Sequence, residues 1–220
     1  GFIVAVALFG WLFDYVNLSY FPLIVALGLL TIFLSSWMVA DPAVDSRCHT
    51  AHKTGDDFLC RLRQPPVAIF FVVCFLMVLA HGPYYTFYTL LMEQHAYSRT
   101  AIGLLWSLGV MAEVILFWYM HRLLPRWGLR SILLVSLILT AVRWILLALF
   151  PQYLSLMLFA QCLHAFSFGA FHAAAIETVR RLFTVQQSGK AQAFYSAVGY
   201  GAGNALGALF SGALWAISPS

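Results

Sequence analysis

His81, Glu113, Arg143, His164 and His172 lie among residues that are nearly all apolar. Glu113 stands in the middle of AIGLLWSLGVMAEVILFWYM, where a carboxylate must find a cation or take up a proton. Either outcome is the chemistry of ion-coupled transport or of signalling. Arg143, beside Trp144, reaches along a pore or snorkels toward the membrane surface. His164 lies about twelve residues into its apolar stretch, at a depth comparable with Glu113, and His172 stands two turns further on, only loosely on the same face. An acid, a base and a titratable imidazole thus occupy three consecutive stretches, a set suited to exchanging a proton.

A second pattern is aromatic. His81, Tyr84, Tyr85 and Tyr88 recur at i, i+3, i+4 and i+7, which stacks an imidazole and three phenols on one helical face. His81 lies about 21 Å into its stretch, too deep for an interfacial aromatic belt, so the stripe is expected to line a cavity. Gly82 and Pro83 are expected to interrupt that helix. Trp106, Gly109 and Glu113 share a face of the next stretch, and Tyr195 and Asn204 are further candidate pore residues. Glu177, with Arg181 at i+4, reads as a helix-end ion pair. Gly199, Gly203 and Gly207 at four-residue intervals let another helix approach closely.

The elements that must position these groups are membrane helices. Apolar residues make up 62% of the 220, charged residues 9%, and the mean hydropathy is +0.86, so the chain is a polytopic, all-α membrane protein. Seven apolar stretches run from Gly1 to Tyr15, Tyr20 to Val39, Val67 to Leu91, Thr100 to Met120, Ser131 to Phe150, Tyr153 to Ile176 and Ala191 to Ile217. All but the first are long enough to cross about 30 Å of hydrocarbon. The first looks truncated, Gly and not Met opens the chain, and a fragment of a longer bundle is expected.

Loop charge sets the orientation. Arg47, Lys53, Arg61, Arg63, Arg122, Arg126, Arg130, Arg180, Arg181 and Lys190 occupy one set of alternate loops, while the other set holds Arg99 alone. The side carrying Asp41 to Pro65 is therefore cytoplasmic. That segment reads as a mobile linker, and its Cys48, His49, His52 and Cys60 are too irregularly spaced for a zinc site. The four cysteines make no disulfide framework. Lys and Arg in short loop runs, and not along one polar face, exclude nucleic-acid binding. No metal or other cofactor is expected, and without a clear nucleophile or an HExxH metal set the chain does not read as an enzyme.

The loop HRLLPRWGLR resembles the signature of the major facilitator superfamily: Arg126, Gly128 and Arg130 match, while Pro125 replaces the acidic position. That resemblance implies two six-helix halves, with these spans as helices five to eleven of twelve. Residues 1–40 would end the first half, 41–65 would form the cytoplasmic connection, and 66–220 would supply most of the second half. LLWSLGVMAEVILF, AVRWILL, LHAFSFGAFHAAA and QAFYSAVGYG further resemble the phenylpropionate permease group, bacterial relatives of lactose permease and of the nucleoside proton symporters. By that resemblance Glu113, Arg143 and His164 fall on helices where lactose permease keeps its acid, arginine and histidine for sugar affinity and proton coupling. Lactose permease has a Glu one turn after its histidine, where this chain has Ser167 and Phe168, so the proton carrier stays open among Glu113, His164 and His172.

The resulting expectation is a monomeric proton symporter of the bacterial inner membrane that moves a small aromatic carboxylate. His81, Tyr84, Tyr85, Tyr88, Trp106, Trp144 and Tyr195 would hold the ring, and Arg143 would attract the carboxylate. A sugar or nucleoside symporter is the alternative, since aromatic faces stack on those ligands too. A seven-helix receptor fits the span count alone.

Overall fold

The computed structural model describes residues 2–15, 20–36 and 54–217, which form helices and no strand. In chain order these are α1 (Phe2–Tyr15), α2 (Phe21–Ser36), α3 (Thr54–Leu62), α4 (Pro65–Gln94), α5 (Arg99–Trp127), α6 (Leu129–Leu149), α7 (Leu154–His164), α8 (Phe171–Leu182), α9 (Val185–Tyr195) and α10 (Asn204–Ile217). Two π-helical turns, Ala165–Ala170 and Ser196–Gly203, join α7 to α8 and α9 to α10 without a break. Among the described residues, α4, α5, α6 and the continuous run Leu154–Leu182 are long and apolar enough to cross a membrane. The first two expected spans appear as the shorter α1 and α2, and the seventh as the run through α9, its π turn and α10.

The helix ends follow local chemistry. Pro residues open α4, where the missing N–H costs nothing because the first-turn donors have no intrahelical partner. The Ser98 hydroxyl accepts from the Ala101 amide to cap α5 (3.2 Å), and Thr184 with Gln187 forms a capping box on α9. Gly128 turns the chain from α5 into α6 at φ 76°, a conformation costly for any residue with a Cβ. This accounts for the glycine of the loop motif. Arg126 and Arg130 flank it on the exposed surface.

Two expectations are corrected. The Asp41–Pro65 segment is not all linker, because residues 54–62 form α3. Its Phe58 packs on Phe183 and Phe194, and Arg61 Nε donates to the Leu182 carbonyl at 3.0 Å, closing the C-terminus of α8. Arg47, Cys48, His49, His52 and Lys53 lie outside the described residues, and with them three of the four residues weighed as a zinc site. Nor does Gly82-Pro83 interrupt its helix: α4 runs unbroken through both. Pro83 cannot donate to the Leu79 carbonyl one turn back, and α10 covers that freed oxygen. A Cβ on Gly207 would sit 2.5 Å from Leu79 O, and one on Gly82 would sit 2.6 Å from the Gly207 backbone. Only glycine at both places lets the helices cross so closely. Gly203 meets Phe75 O and Val78 in the same way, as the glycine spacing predicts.

The buried core lies between α4, α5, α6, the Leu154–Leu182 run and α9, while Leu104, Trp118, Ile138 and Leu149 point outward. α1 packs along α5 through Gly10 against Gly103. At the end of that contact Asp14 accepts hydrogen bonds from the Arg99 and Thr100 amides, each at 3.0 Å, and from the Thr100 hydroxyl. A carboxylate there satisfies first-turn donors of α5 and complements its positive dipole end.

Candidate functional site

Four helical runs bring the polar residues together. Arg143, on α6, is fully buried. Its guanidinium carbon lies 4.0 Å from the centroid of the Tyr84 ring and 4.9 Å from that of Trp144, so cation–π contacts hold it against α4 and its own neighbour. Among the described residues, none of its three nitrogens has a well-formed hydrogen bond, the Tyr84 hydroxyl being the nearby acceptor. The long side chain therefore does not snorkel. It stays inside, with a planar donor fork held open.

Glu113, on α5, and His164, at the end of α7, face each other with Nε2 to Oε1 at 3.5 Å, within ion-pair reach but long for a hydrogen bond. Room for the pair comes from small residues. A Cβ on Gly109 would press on Gln161 and touch His164, and Gly169 lies against the Glu113 methylenes. His81 Nδ1 lies 2.8 Å from the Met77 carbonyl, which makes Nδ1 the protonated nitrogen and leaves Nε2 an acceptor without a partner. Its ring centroid is 5.1 Å from that of Trp144 and 6.2 Å from that of His164.

The rings of the aromatic stripe form one connected cluster. Tyr84 packs on Trp106 (4.6 Å), Tyr88 (4.9 Å) and His164 (5.5 Å), and Tyr85 stacks on Trp106 at 17° between planes. Tyr84 and Tyr88 are buried, while Tyr85 is 41% exposed and marks the open side of the cluster.

His172 and Tyr195 lie apart from this centre, about 12 Å further along the bundle by helical rise. His172 Nδ1 lies 3.1 Å from the Tyr195 hydroxyl and 2.7 Å from that of Tyr200. Phe168 joins the two clusters: its ring stacks on His164 at 12° and on His172 at 10°. In an uninterrupted α-helix, residues eight apart point about 80° away from each other. The π turn, with its i→i+5 bonds, takes up that difference and puts all three rings in one stack. This corrects the expectation that His172 is only loosely aligned with His164.

Sequence reasoning passed over Gln161 and Tyr200. Gln161 is fully buried, accepts from the Tyr84 hydroxyl at 2.9 Å and stands one helical turn before His164. An amide in the apolar run LSLMLFAQCLH was the available signal. Glu177 is where the spacing puts it, paired with Arg180 (2.6 Å) and Arg181 (2.8 Å) at an exposed helix end. Arg126, Gly128 and Arg130 are remote from the cluster. Among the described residues no group of three or more His, Cys, Asp or Glu could hold a metal ion.

A helical membrane protein whose interior holds an acid, two imidazoles and an arginine beneath aromatic faces has the parts of a polytopic carrier. Residues 1–220 match the profile of the MFS_1 like family, and the chain belongs to that family of the major facilitator superfamily. It is 37% identical over 139 residues to a probable 3-phenylpropionic acid transporter of Escherichia coli (strain K12), covering 62% of this chain and 35% of that protein. It is 28% identical over 211 residues to a maltose permease of Geobacillus stearothermophilus, covering 92% of this chain and 50% of that one. It is also 25% identical over 136 residues to an uncharacterized transporter of Bacillus subtilis (strain 168), covering 62% and 34%. The chain thus spans half or less of the length of these curated relatives. No solved structure matches it.

Proposed function

We propose that this chain belongs to a proton-coupled symporter of the bacterial inner membrane that carries a small aromatic carboxylate. The observation that supports it best is Arg143, a fully buried cation with no well-formed hydrogen bond among the described residues, held between Tyr84 and Trp144. A bidentate carboxylate would supply the missing acceptors, and the neighbouring aromatic faces would take a ring. Glu113 and His164, 3.5 Å apart, would exchange the coupling proton, with His172 and its two tyrosines on the cytoplasmic side of them. The likeness to a probable 3-phenylpropionic acid transporter supports the same substrate class.

The maltose permease likeness, over 92% of the chain, favours a second reading as a sugar symporter, in which Tyr84, Tyr85 and Trp106 would stack on pyranose rings. Uptake of labelled 3-phenylpropionate and maltose by cells making the full-length protein, with and without a protonophore, separates the two. Uptake of the acid that collapses with the protonophore is expected. Protonophore-insensitive uptake, or uptake of maltose alone, overturns the proposal. Arg143→Lys should weaken the acid far more than its neutral amide, because Lys keeps the charge but loses the fork.

A further inference from the structure

We infer that Gln161 is a specificity-determining residue of the binding centre, reading the ligand's oxyanion together with Arg143, and that the Tyr84 hydroxyl is what sets its polarity. This rests on the reading of the substrate as a carboxylate.

A Gln side chain offers one acceptor end and one donor end, and a site that turned either way would bind an anion and a cation alike. Here the choice is made by the Tyr84 O–H, which donates to Gln161 Oε1 at 2.9 Å. With Oε1 engaged, the amide presents Nε2, which is buried near the Tyr88 hydroxyl and has no well-formed hydrogen bond among the described residues. Gln161 is fully buried, so an acceptor offered by a ligand there would be worth more than at the surface. Arg143 sits on the face of the same phenol, its guanidinium carbon 4.0 Å from the ring centroid, with three more donors open. One tyrosine ring therefore carries the cation on its face and pins the amide at its hydroxyl. Both present donors and neither presents an acceptor. Gly109 leaves the space Gln161 needs, since a Cβ there would stand 3.2 Å from Oε1.

Toward these two donors a carboxylate presents two oxygens and a carboxamide one, while the acceptors His81 Nε2 and Glu113 Oε1 belong to the rest of the centre. Arg143 supplies attraction for any anion, and Gln161 adds the rejection of the isosteric amide, whose NH2 would face another NH2.

The test measures binding of 3-phenylpropionate and 3-phenylpropanamide to the purified full-length protein, for wild type, Gln161→Glu, Gln161→Leu, Tyr84→Phe and Arg143→Lys, each first shown to be monodisperse in detergent. Gln161→Glu replaces the donor end by an acceptor. It should weaken the acid at least tenfold while changing the amide less than threefold. Gln161→Leu should weaken the acid and narrow the acid-to-amide ratio. Tyr84→Phe frees the amide to turn over, and should narrow that ratio by improving the amide as well as weakening the acid, a result that lost packing alone does not give. Equal losses for both ligands in the Gln161 variants, or an unchanged ratio in Tyr84→Phe, overturn the inference. If Arg143→Lys discriminates acid from amide while the Gln161 variants do not, only this inference fails. If wild type itself does not prefer the acid, the carboxylate reading of the site fails with it.

Discussion

Arg143→Met should make the unliganded protein more stable and the liganded protein less so. A buried guanidinium forgoes about 1–3 kcal/mol for each donor left without an acceptor, and among the described residues Arg143 has no well-formed hydrogen bond. Its ring contacts at 4.0 and 4.9 Å return about 2 kcal/mol in a desolvated setting. Met matches the length of the aliphatic stem and fills the space between Tyr84 and Trp144 without a charge. Replacing buried charges with hydrophobic groups of similar volume commonly gains about 1–4 kcal/mol, and a gain in that range is expected here. Thermal unfolding in detergent provides the assay, read by a fluorogenic thiol reagent at the buried Cys74 in a background where Cys48, Cys60 and Cys162 are replaced by Ser. Adding 3-phenylpropionate should raise the wild-type midpoint and leave that of the variant unmoved. A loss of about 3–5 kcal/mol in Arg143→Met without ligand would show that the arginine is already paired in the resting protein, and the substrate-anchor argument would collapse.

Glu113→Gln should abolish uphill accumulation while sparing downhill exchange, because Gln keeps the size and hydrogen bonding of a protonated Glu but has no proton to release; continued accumulation against a gradient assigns coupling to His164 or His172. Gly207→Ala should destabilise the protein by about 1–3 kcal/mol, since the new methyl would start 2.5 Å from Leu79 O and α10 would have to back away from α4. Thermal melts of that variant against Gly212→Ala, where nothing lies within 4 Å, isolate the crossing from any general effect of removing a glycine. Gly128→Ala should cost about 1–2 kcal/mol through backbone strain alone, because a Cβ there meets no atom within 4 Å while φ stays at 76°; an unchanged melting point would mean that the turn rearranges freely.

The spans and the identity of the central charges are legible in the sequence because both rest on single-residue chemistry. A run of twenty apolar residues has few fates, and Glu113 or Arg143 within one must be accommodated wherever the neighbours lie. The features that sequence reading misplaces all depend on a partner distant in the chain. Gly82-Pro83 reads as a break when taken alone, and becomes an unbroken helix because Gly207 covers the oxygen that Pro83 releases. Residues 54–62 read as polar linker, and coil into α3 because Phe183 and Phe194 receive Phe58. Gln161 looks like a stray polar residue until Tyr84, 77 positions earlier, is seen to hold its oxygen. The two π turns leave no compositional mark, since hydrogen bonding from i to i+5 depends on how neighbouring helices pack and not on one residue type.

Those wide turns make the helices that carry them adjustable. Each turn holds one residue more than an α-turn does, so tightening Ala165–Ala170 to regular geometry would twist α8 by about 100° on its own axis with an axial slip of only about 1.5 Å. His172 would leave Tyr195 and Tyr200, and the Glu177 pair would swing to another face, with no loop lengthened and no hydrogen-bonded run dissolved. A helix built this way works as a crank: a change of pitch at one place becomes a change of heading for every side chain beyond it. Tightening Ser196–Gly203 would turn α10 likewise, but there Gly203 and Gly207 lie against α4, and a side chain brought round in their place would force the two helices apart.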